Sequence, residues 1–252
     1  MVRAMIRLLM VLAALAAPAS ARAPEVAAEL LPGWRIDGGR HMAALRLDLP
    51  AGWKTYWRTP GEAGVPLVTD WAGSPGVTSA HVHWPAPSEF SSYGMRFLGY
   101  EGEVVLPVEL GVRGARPALD VTVGFGVCRE ICIPMAVRLR ADLPARGARD
   151  PAIAAALARV PARRSGIATC AAGPGGALDV RVGVPSLGAG ESLALEAPGA
   201  KLGAPDLRRE GASLLARVPV LGGFVSRAEI RVTAFGPAGA VEQMGCPAPS
   251  GQ

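Results

Sequence analysis

The sequence predicts an all-β protein, with a β-sandwich domain, a short linking helix and a second, smaller β domain. The first half contains segments such as 118–125 (ALDVTVGF) and 137–143 (VRLRADL), in which apolar and polar residues alternate. A period of two is typical of strands with one buried face. Glycines and prolines separate these segments, which favours a sandwich. The second half of the chain repeats the pattern.

Each element follows from its local pattern. The strands predicted for the first domain are 43–49, 53–58, 103–110, 118–125 and 137–143. A helix is predicted at 151–159, because Asp150 is a good N-cap, Pro151 suits the first helical position and Pro161 stops the helix. Strands of the second domain are predicted at 177–184, 192–196, 213–220 and 228–235. We therefore expect a first domain at 25–145, a linker at 146–164 and a second domain at 165–248.

Residues 1–21 have the features of a secretory signal peptide. Arg3 and Arg7 make the N-terminal end of the segment positively charged. An apolar run follows from Leu8 to Ala17, and small residues occupy 19–21. The apolar run has about half the length that a membrane-spanning helix needs. We therefore expect a soluble protein that is exported to the periplasm, where disulfides can form.

The charge of the chain gives little support to a nucleic-acid partner. Removing residues 1–21 lowers the net charge from +5 to +3, and no dense run of basic residues interleaves with aromatic ones.

Roughly 230 residues can bury a core without the help of disulfides. The four cysteines therefore need another explanation than the stapling of a very small domain.

The cysteines divide into two pairs by spacing. If Cys170 and Cys246 form a disulfide, the chain-entropy model gives about 4.5 kcal/mol for their loop of some 77 residues, against about 2 kcal/mol for the loop between Cys128 and Cys132. The short pair is a poor staple, and strain in so short a loop makes a disulfide easier to reduce. Spacing thus favours a redox role for Cys128 and Cys132 and a structural role for Cys170 and Cys246.

Two other interpretations of the short pair stay open. It could be a local clip on a loop, or two ligands of a soft metal ion such as Cu(I), completed from His81, His83, Met95 and Met135. Arg129 would favour a thiolate on Cys128, which is a weak reason to regard Cys128 as the nucleophile, while Glu130 would oppose it. The sequence has no C-x-x-C, C-x-x-C-H or G-x-S-x-G motif, so a thioredoxin-like site, covalent haem attachment and a hydrolase nucleophile elbow have no support.

Six ordered motifs in the first domain resemble a known family. They are 52–57 (GWKTYW), 60–66 (PGEAGVP), 84–87 (WPAP), 99–102 (GYEG), 105–108 (VLPV) and 128–134 (CREICIP). Together they resemble the N-terminal periplasmic domain of the thiol:disulfide interchange protein DsbD, and more closely its relatives in the copper-sensitivity suppressor ScsB group. The cysteine spacing is shorter than in DsbD itself and fits the ScsB-like relatives. The second domain resembles nothing that we can name.

The resemblance implies an immunoglobulin-like β-sandwich whose cysteine pair is shielded by a short cap loop. Residues 88–94 (SEFSSYG) resemble that cap, with Glu89, Phe90 and Tyr93 as shielding residues. Phe90 and Tyr93 could equally be ordinary core residues, and so could Tyr56, which we also consider as a neighbour of the thiols.

The function implied is that of a protein-disulfide reductase component, with no cofactor, that takes electrons from a membrane-embedded thiol reductase of the DsbD, ScsB or CcdA type. Periplasmic disulfide proteins would receive the electrons. The family also suggests links to copper tolerance and cytochrome c biogenesis. Full-length relatives carry a membrane domain and a thioredoxin-like domain that this sequence lacks, so we expect a separate membrane partner. The alternatives are a copper-handling protein that uses the reduced pair, and a non-catalytic interaction module.

Overall fold

The computed structural model describes residues 24–61, 64–92, 94–114 and 116–249. In these described ranges, ten strands precede a helix: β1 (Ala27–Arg35), β2 (Arg40–Asp48), β3 (Lys54–Gly61), β4 (Val68–Asp70), β5 (Val77–Val82), β6 (Ser88–Ser92), β7 (Met95–Glu101), β8 (Glu103–Val112), β9 (Ala118–Cys128) and β10 (Cys132–Asp142). The predicted signal peptide lies outside the described residues. Within them, no helix has the length and apolar character needed to cross a bilayer.

The first domain is a sandwich of two antiparallel sheets, with strand orders β1-β2-β8-β5 and β10-β9-β3-β7-β6, and β4 pairs with β9. Side chains of alternate residues fill the space between the sheets. In β9 these are Val121, Val123, Phe125 and Val127, which pack with Trp57 in one buried cluster. The alternation in the sequence therefore gives β9 one face in the core and one face outside. The outer face carries the candidate site.

The helix α1 (Pro151–Ala158) begins where the sequence predicts. The carboxylate of Asp150 accepts hydrogen bonds from the backbone N–H groups of Ala152 at 2.8 Å and Ile153 at 3.2 Å. Ile153 is fully buried and packs against Leu31 and Val105 on the outer face of the first sheet. The helix is thus fixed to the first domain.

The second domain follows the helix. Its strands are β11 (Ala162–Arg163), β12 (Ala168–Ala172), β13 (Leu178–Gly183), β14 (Ser192–Glu196), β15 (Ala200–Leu202), β16 (Asp206–Glu210), β17 (Ser213–Val218), β18 (Val220–Gly223), β19 (Arg231–Gly236) and β20 (Gly239–Met244). They form two four-stranded sheets, β11-β20-β19-β14 and β12-β13-β17-β16, and a ribbon of β15 and β18. The all-β class, the two β domains and the linking helix are as predicted.

Two predicted strands of the second domain differ in the structure. The segment 213–220 is divided into β17 and β18 at Pro219, which has no backbone N–H to donate to a sheet. The segment 228–235 begins later, at Arg231, because a turn precedes it in which the N–H of Glu229 donates to the carbonyl of Ser226. The sequence pattern shows apolar alternation but not these local interruptions.

Candidate functional site

Cys128 and Cys132 lie at the end of the hairpin formed by β9 and β10. They are directly opposite each other in the strand register, three residues connect them, and they form a disulfide. Cys128 is 7% exposed, because the outer face of β9 is covered at this point, whereas Cys132 is exposed. The two members of the pair therefore differ in their access to solvent.

Tyr56 lies beside both sulfur atoms. In the register of β3 with β9, Lys54 faces Cys128, and alternation along β3 places Tyr56 on the same face of the sheet. The Tyr56 hydroxyl is 2.7 Å from Sγ of Cys128 and 3.1 Å from Sγ of Cys132. Burial raises the pKa of Tyr56 above its usual value of 10. The hydroxyl therefore keeps its proton at neutral pH and can donate it in a hydrogen bond to sulfur.

A glycine makes room for the Tyr56 ring. A Cβ atom on Gly126 would lie 3.2 Å from Cε2 of Tyr56 and 2.7 Å from Cβ of Val65. The ring therefore lies against bare backbone on the outer face of β9. On the inner face, the hydroxyl of Thr55 donates to the carbonyl of Gly126 at 2.8 Å, which ties β3 to β9 at the same level.

Residues 88–98, which we name the cap hairpin, extend the aromatic surface away from the cysteines. The resemblance implied a loop here, but β6 and β7 pair as antiparallel strands, with Phe90 opposite Phe97. The two rings stack with their centroids 5.4 Å apart, and Phe97 packs edge-on against Tyr56 at 5.7 Å. Lys54 Nζ lies 5.1 Å from the centroid of Phe90. A continuous row of aromatic rings thus connects the cap hairpin to Tyr56.

Two further residues were expected to shield the pair, Glu89 and Tyr93. Glu89 is on the opposite face of the cap hairpin, where its carboxylate binds Arg96 at 2.8 Å and the hydroxyl of Ser192 in the second domain. Tyr93 lies outside the described residues. Sequence reasoning missed Phe97, because the segment 95–101 (MRFLGYE) has no regular alternation of apolar and polar residues that would predict a strand. It also missed Arg96 and Ser192, whose contact has no local signature.

The surroundings of the pair are apolar and accessible. Ile131, between the cysteines, is 58% exposed, and Val65 and Val68 beside β9 are 38% and 61% exposed. The guanidinium of Arg129 lies 5.8 Å from the ring centroid of Trp53 and 3.8 Å from the Glu130 carboxylate. Its charge is therefore shared with Trp53 and Glu130, which weakens the reason for regarding Cys128 as the nucleophile.

Residues 27–144 match the family model of the thiol:disulfide interchange protein DsbD, N-terminal. The matched residues, a little under half of the chain, are similar to a DsbD N-terminal domain. The match supports a thiol–disulfide exchange domain with a cysteine pair, and the resemblance inferred from the six motifs is confirmed.

Solved structures extend the comparison to the second half of the chain. The N-terminal periplasmic domain of ScsB from Proteus mirabilis is 25% identical, with a TM-score of 0.71, and the match covers 89% of this chain and 92% of that one. The chain is thus similar to this ScsB domain, and the likeness includes the second domain, which the sequence motifs left unassigned. The DsbD N-terminal domain of Neisseria meningitidis, in the reduced form, is 14% identical over 48% of this chain and 86% of that one, with a TM-score of 0.30. No curated protein matches the chain by sequence.

The second cysteine pair lies away from the DsbD-type site. Cys170 on β12 and Cys246 after β20 form a disulfide that joins the two sheets of the second domain. The two residues are 0% and 1% exposed and belong to the buried core of that domain. This bond is therefore closed to a protein partner in the folded chain.

The candidate copper ligands are dispersed. His81 on β5 and His83 just after it have rings 4.9 Å apart, but β5 belongs to the sheet that does not carry the cysteines. Met135 is on β10, and Met95 is in the cap hairpin. In the part of the chain that the structure describes, no three His, Cys, Asp or Glu side chains are grouped so that they could hold a metal ion.

Proposed function

We propose that this chain is a periplasmic protein that passes electrons from a membrane-embedded thiol reductase to periplasmic disulfide proteins through Cys128 and Cys132. The observation that carries the proposal is the asymmetry of the pair. One sulfur-bearing residue is exposed, the other is buried, and a protonated tyrosine hydroxyl lies within hydrogen-bonding distance of both sulfurs. A disulfide with a purely structural role does not need a hydrogen-bond donor beside its sulfur atoms.

The exposed residue, Cys132, is the one that a partner protein can reach. In the reduced protein its thiolate attacks one sulfur of the partner's disulfide, forming a mixed disulfide and releasing the partner's other sulfur as a thiolate. Cys128 then loses its proton and attacks Sγ of Cys132. This forms the Cys128–Cys132 disulfide and releases the partner's remaining thiolate. Two electrons pass to the partner, whose two thiolates take up protons.

A membrane thiol reductase returns the chain to its reduced state by the reverse exchange, in which its own dithiol becomes a disulfide. The periplasm is the proposed compartment because the ScsB relative is described as a periplasmic domain. The burial of Cys128 beside Tyr56 supports this role, since a dithiol in an oxidising compartment needs protection from unspecific disulfides. The exposed apolar residues around the pair offer a surface for a partner.

Single-cysteine variants test the proposal and the roles of the two cysteines. Cys128→Ala keeps the exposed thiol but removes the resolving one, so it should accumulate mixed disulfides with periplasmic proteins. Cys132→Ala is the matched control, and its buried thiol should trap far less. Equal trapping by both variants would contradict the assigned order of attack, and no trapping by either would contradict the exchange function.

A redox titration supplies an independent test. Structural disulfides have reduction potentials below about −300 mV, whereas bonds that exchange have higher potentials. In buffers of reduced and oxidised dithiothreitol, the Cys128–Cys132 bond should be reduced well before the Cys170–Cys246 bond. A potential below about −300 mV for Cys128–Cys132 would indicate an inert bond.

A further inference from the structure

Strand β3 loses its regular backbone pairing immediately after Tyr56. Its pairing with β9 covers residues 54 and 55, and its ladder with β7 is regular up to Tyr56 opposite Gly99. The ladder resumes at Gly61 after a register shift in which five residues of β3 correspond to two of β7. The conformation of residues 57–60 therefore depends on the contacts of their side chains.

This irregular segment leads into the backbone that covers the Tyr56 ring. A Cβ atom on Gly64 would meet Cβ of Pro60 and would lie 2.8 Å from Cδ1 of Tyr56. Pro60 and Gly64 thus pack together at one edge of the ring, whereas Val65 and Gly126 lie near Cε2 at the other edge. A shift of Pro60 would move one of the two walls that orient the Tyr56 hydroxyl.

The two residues before Pro60 are held by the second domain. The guanidinium of Arg58 donates to the carboxylate of Glu196 on β14 at 2.8 Å, and it also binds Glu242 on β20. The hydroxyl of Thr59 donates to the same Glu196 carboxylate at 2.7 Å. One carboxylate of the second domain therefore fixes two consecutive residues of the irregular segment.

The charges at this contact are balanced only when the two domains are together. The second domain contributes two carboxylates, of which Glu196 is 21% and Glu242 is 8% exposed, and Arg231 lies 3.9 Å from each of them. Arg231 supplies one positive charge, and Arg58, whose side chain is 14% exposed, supplies the second. Because loss of a partner from such a cluster leaves a buried charge uncompensated, Arg58 has little freedom to move.

We propose that the second domain sets the reactivity of the cysteine pair through Arg58, a positioning residue that keeps the Tyr56 hydroxyl beside the sulfurs. The two carboxylates hold Arg58, and Arg58 fixes the segment that packs against the ring. The position of the ring in turn sets the distance from the hydroxyl to Sγ of Cys132, which is 3.1 Å. The inference rests on the proposed exchange function and deepens it, since it gives the second domain a part in the thiol chemistry of the first.

The test measures how the alkylation of Cys132 by iodoacetamide depends on pH in the reduced full chain that carries Cys128→Ala. Arg58→Gln and Glu196→Gln should each raise the alkylation midpoint and lower the rate below the midpoint by about threefold, because a displaced hydroxyl stabilises the thiolate less. Direct effects of the two charges would have opposite signs, since removing a cation disfavours a thiolate and removing an anion favours it. A shift of the same sign in both variants therefore identifies the hydroxyl as the intermediary.

The Tyr56→Phe background supplies a double-mutant cycle. If Arg58→Gln and Glu196→Gln act through the hydroxyl, neither should shift the midpoint further in a protein that lacks it. Glu196→Gln leaves Arg58 paired with Glu242, and its direct charge effect has the opposite sign to the expected shift, so it decides the question alone should Arg58→Gln fail to fold.

Arg209→Gln is the matched control, since Arg209 forms a largely buried ion pair with Glu191 inside the second domain. It should lower the thermal midpoint and leave the alkylation midpoint unchanged. Unchanged midpoints, shifts of opposite sign, the same shifts in the Tyr56→Phe background or an equal shift in Arg209→Gln each overturn the inference.

Trapping of periplasmic proteins reports on the exchange function separately. If Cys128→Ala traps no mixed disulfide, the proposed function fails whatever the alkylation midpoints are. If Cys128→Ala traps partners normally and the midpoints of Arg58→Gln and Glu196→Gln are unaffected, only the positioning role of Arg58 is rejected.

Discussion

The hydroxyl of Tyr56 lies 2.7 Å from Sγ of Cys128, although the two residues are 72 positions apart in the chain. The contact arises because β3 and β9 are neighbours in the sheet and Gly126 leaves space for the ring. Burial keeps the phenol protonated, so it is available as a donor when reduction leaves a thiolate at this position. A sulfur anion gains more from such a donor than a disulfide does, since hydrogen bonds to charged groups are the stronger ones.

Tyr56→Phe should therefore make the reduced pair a poorer nucleophile at neutral pH. A hydrogen bond to a charged group contributes about 1.5–3 kcal/mol, which corresponds to about one to two pH units in the midpoint of thiolate formation. The measurement is the pH dependence of iodoacetamide alkylation of reduced Cys128→Ala, with and without Tyr56→Phe. An identical alkylation midpoint in the two proteins would show that the hydroxyl does not stabilise the thiolate of Cys132.

Gly126→Ala should disturb the site through the Tyr56 ring. The added Cβ would meet Val65 at 2.7 Å and the ring at 3.2 Å, so the ring or the Val65 segment must shift. Overpacking of this kind costs about 1–3 kcal/mol, and we expect slower thiol exchange because the hydroxyl leaves the sulfurs. Urea denaturation and the rate of reduction by dithiothreitol measure the two effects.

Gly124→Ala is the control for this substitution. Gly124 is on the same face of β9, and its added Cβ would meet the Val68 side chain at 3.0 Å, with no atom of Tyr56 within 4 Å. It should therefore preserve the exchange rate better than Gly126→Ala. Equal slowing by both variants would mean that crowding of the outer face, and not displacement of Tyr56, impairs exchange.

The two disulfides should differ in their contribution to stability. In the chain-entropy model, replacing Cys170 and Cys246 by alanine costs about 4.5 kcal/mol, and replacing Cys128 and Cys132 costs about 2 kcal/mol. Both bonds are buried at least in part, but only the first joins two sheets of a domain. Thermal unfolding of the two double variants should show the larger loss for Cys170→Ala/Cys246→Ala. A larger loss for Cys128→Ala/Cys132→Ala would show that the Cys128–Cys132 bond, and not the Cys170–Cys246 bond, has the structural role.

The alternation of apolar and polar residues predicted the strands that carry the site. Contacts between residues far apart in the chain could not be predicted from such local patterns. Alternation in 118–125 and 137–143 predicted the two strands that end at the cysteines. The resemblance to the family implied a cap loop at 88–94, but pairing of β6 with β7 makes this segment a hairpin. The contact of Glu89 with Ser192 joins residues 103 positions apart, and no local pattern encodes it.

The β9–β10 hairpin that carries the cysteines should weaken in acid through Asp120. Its carboxylate on β9 pairs with Arg138 at 2.6 Å and Arg140 at 2.9 Å on β10, and their hydrogen bonds lower the pKa of Asp120 to about 2. In the unfolded chain an aspartate has a pKa of about 3.9. The stabilising contribution is therefore complete above about pH 4 and is lost as the pH falls towards 2, because the unfolded state takes up its proton first.

Asp120→Asn isolates this contribution from the other carboxylates of the chain. The difference in free energy of unfolding between the wild type and Asp120→Asn, from urea titrations, should be largest above pH 4 and should shrink as the pH falls to about 2. Both arginines are largely exposed, so added salt should also reduce the difference by screening the charges. A difference that is independent of pH would mean that the asparagine variant loses packing or backbone contacts instead of the ion pairs with Arg138 and Arg140.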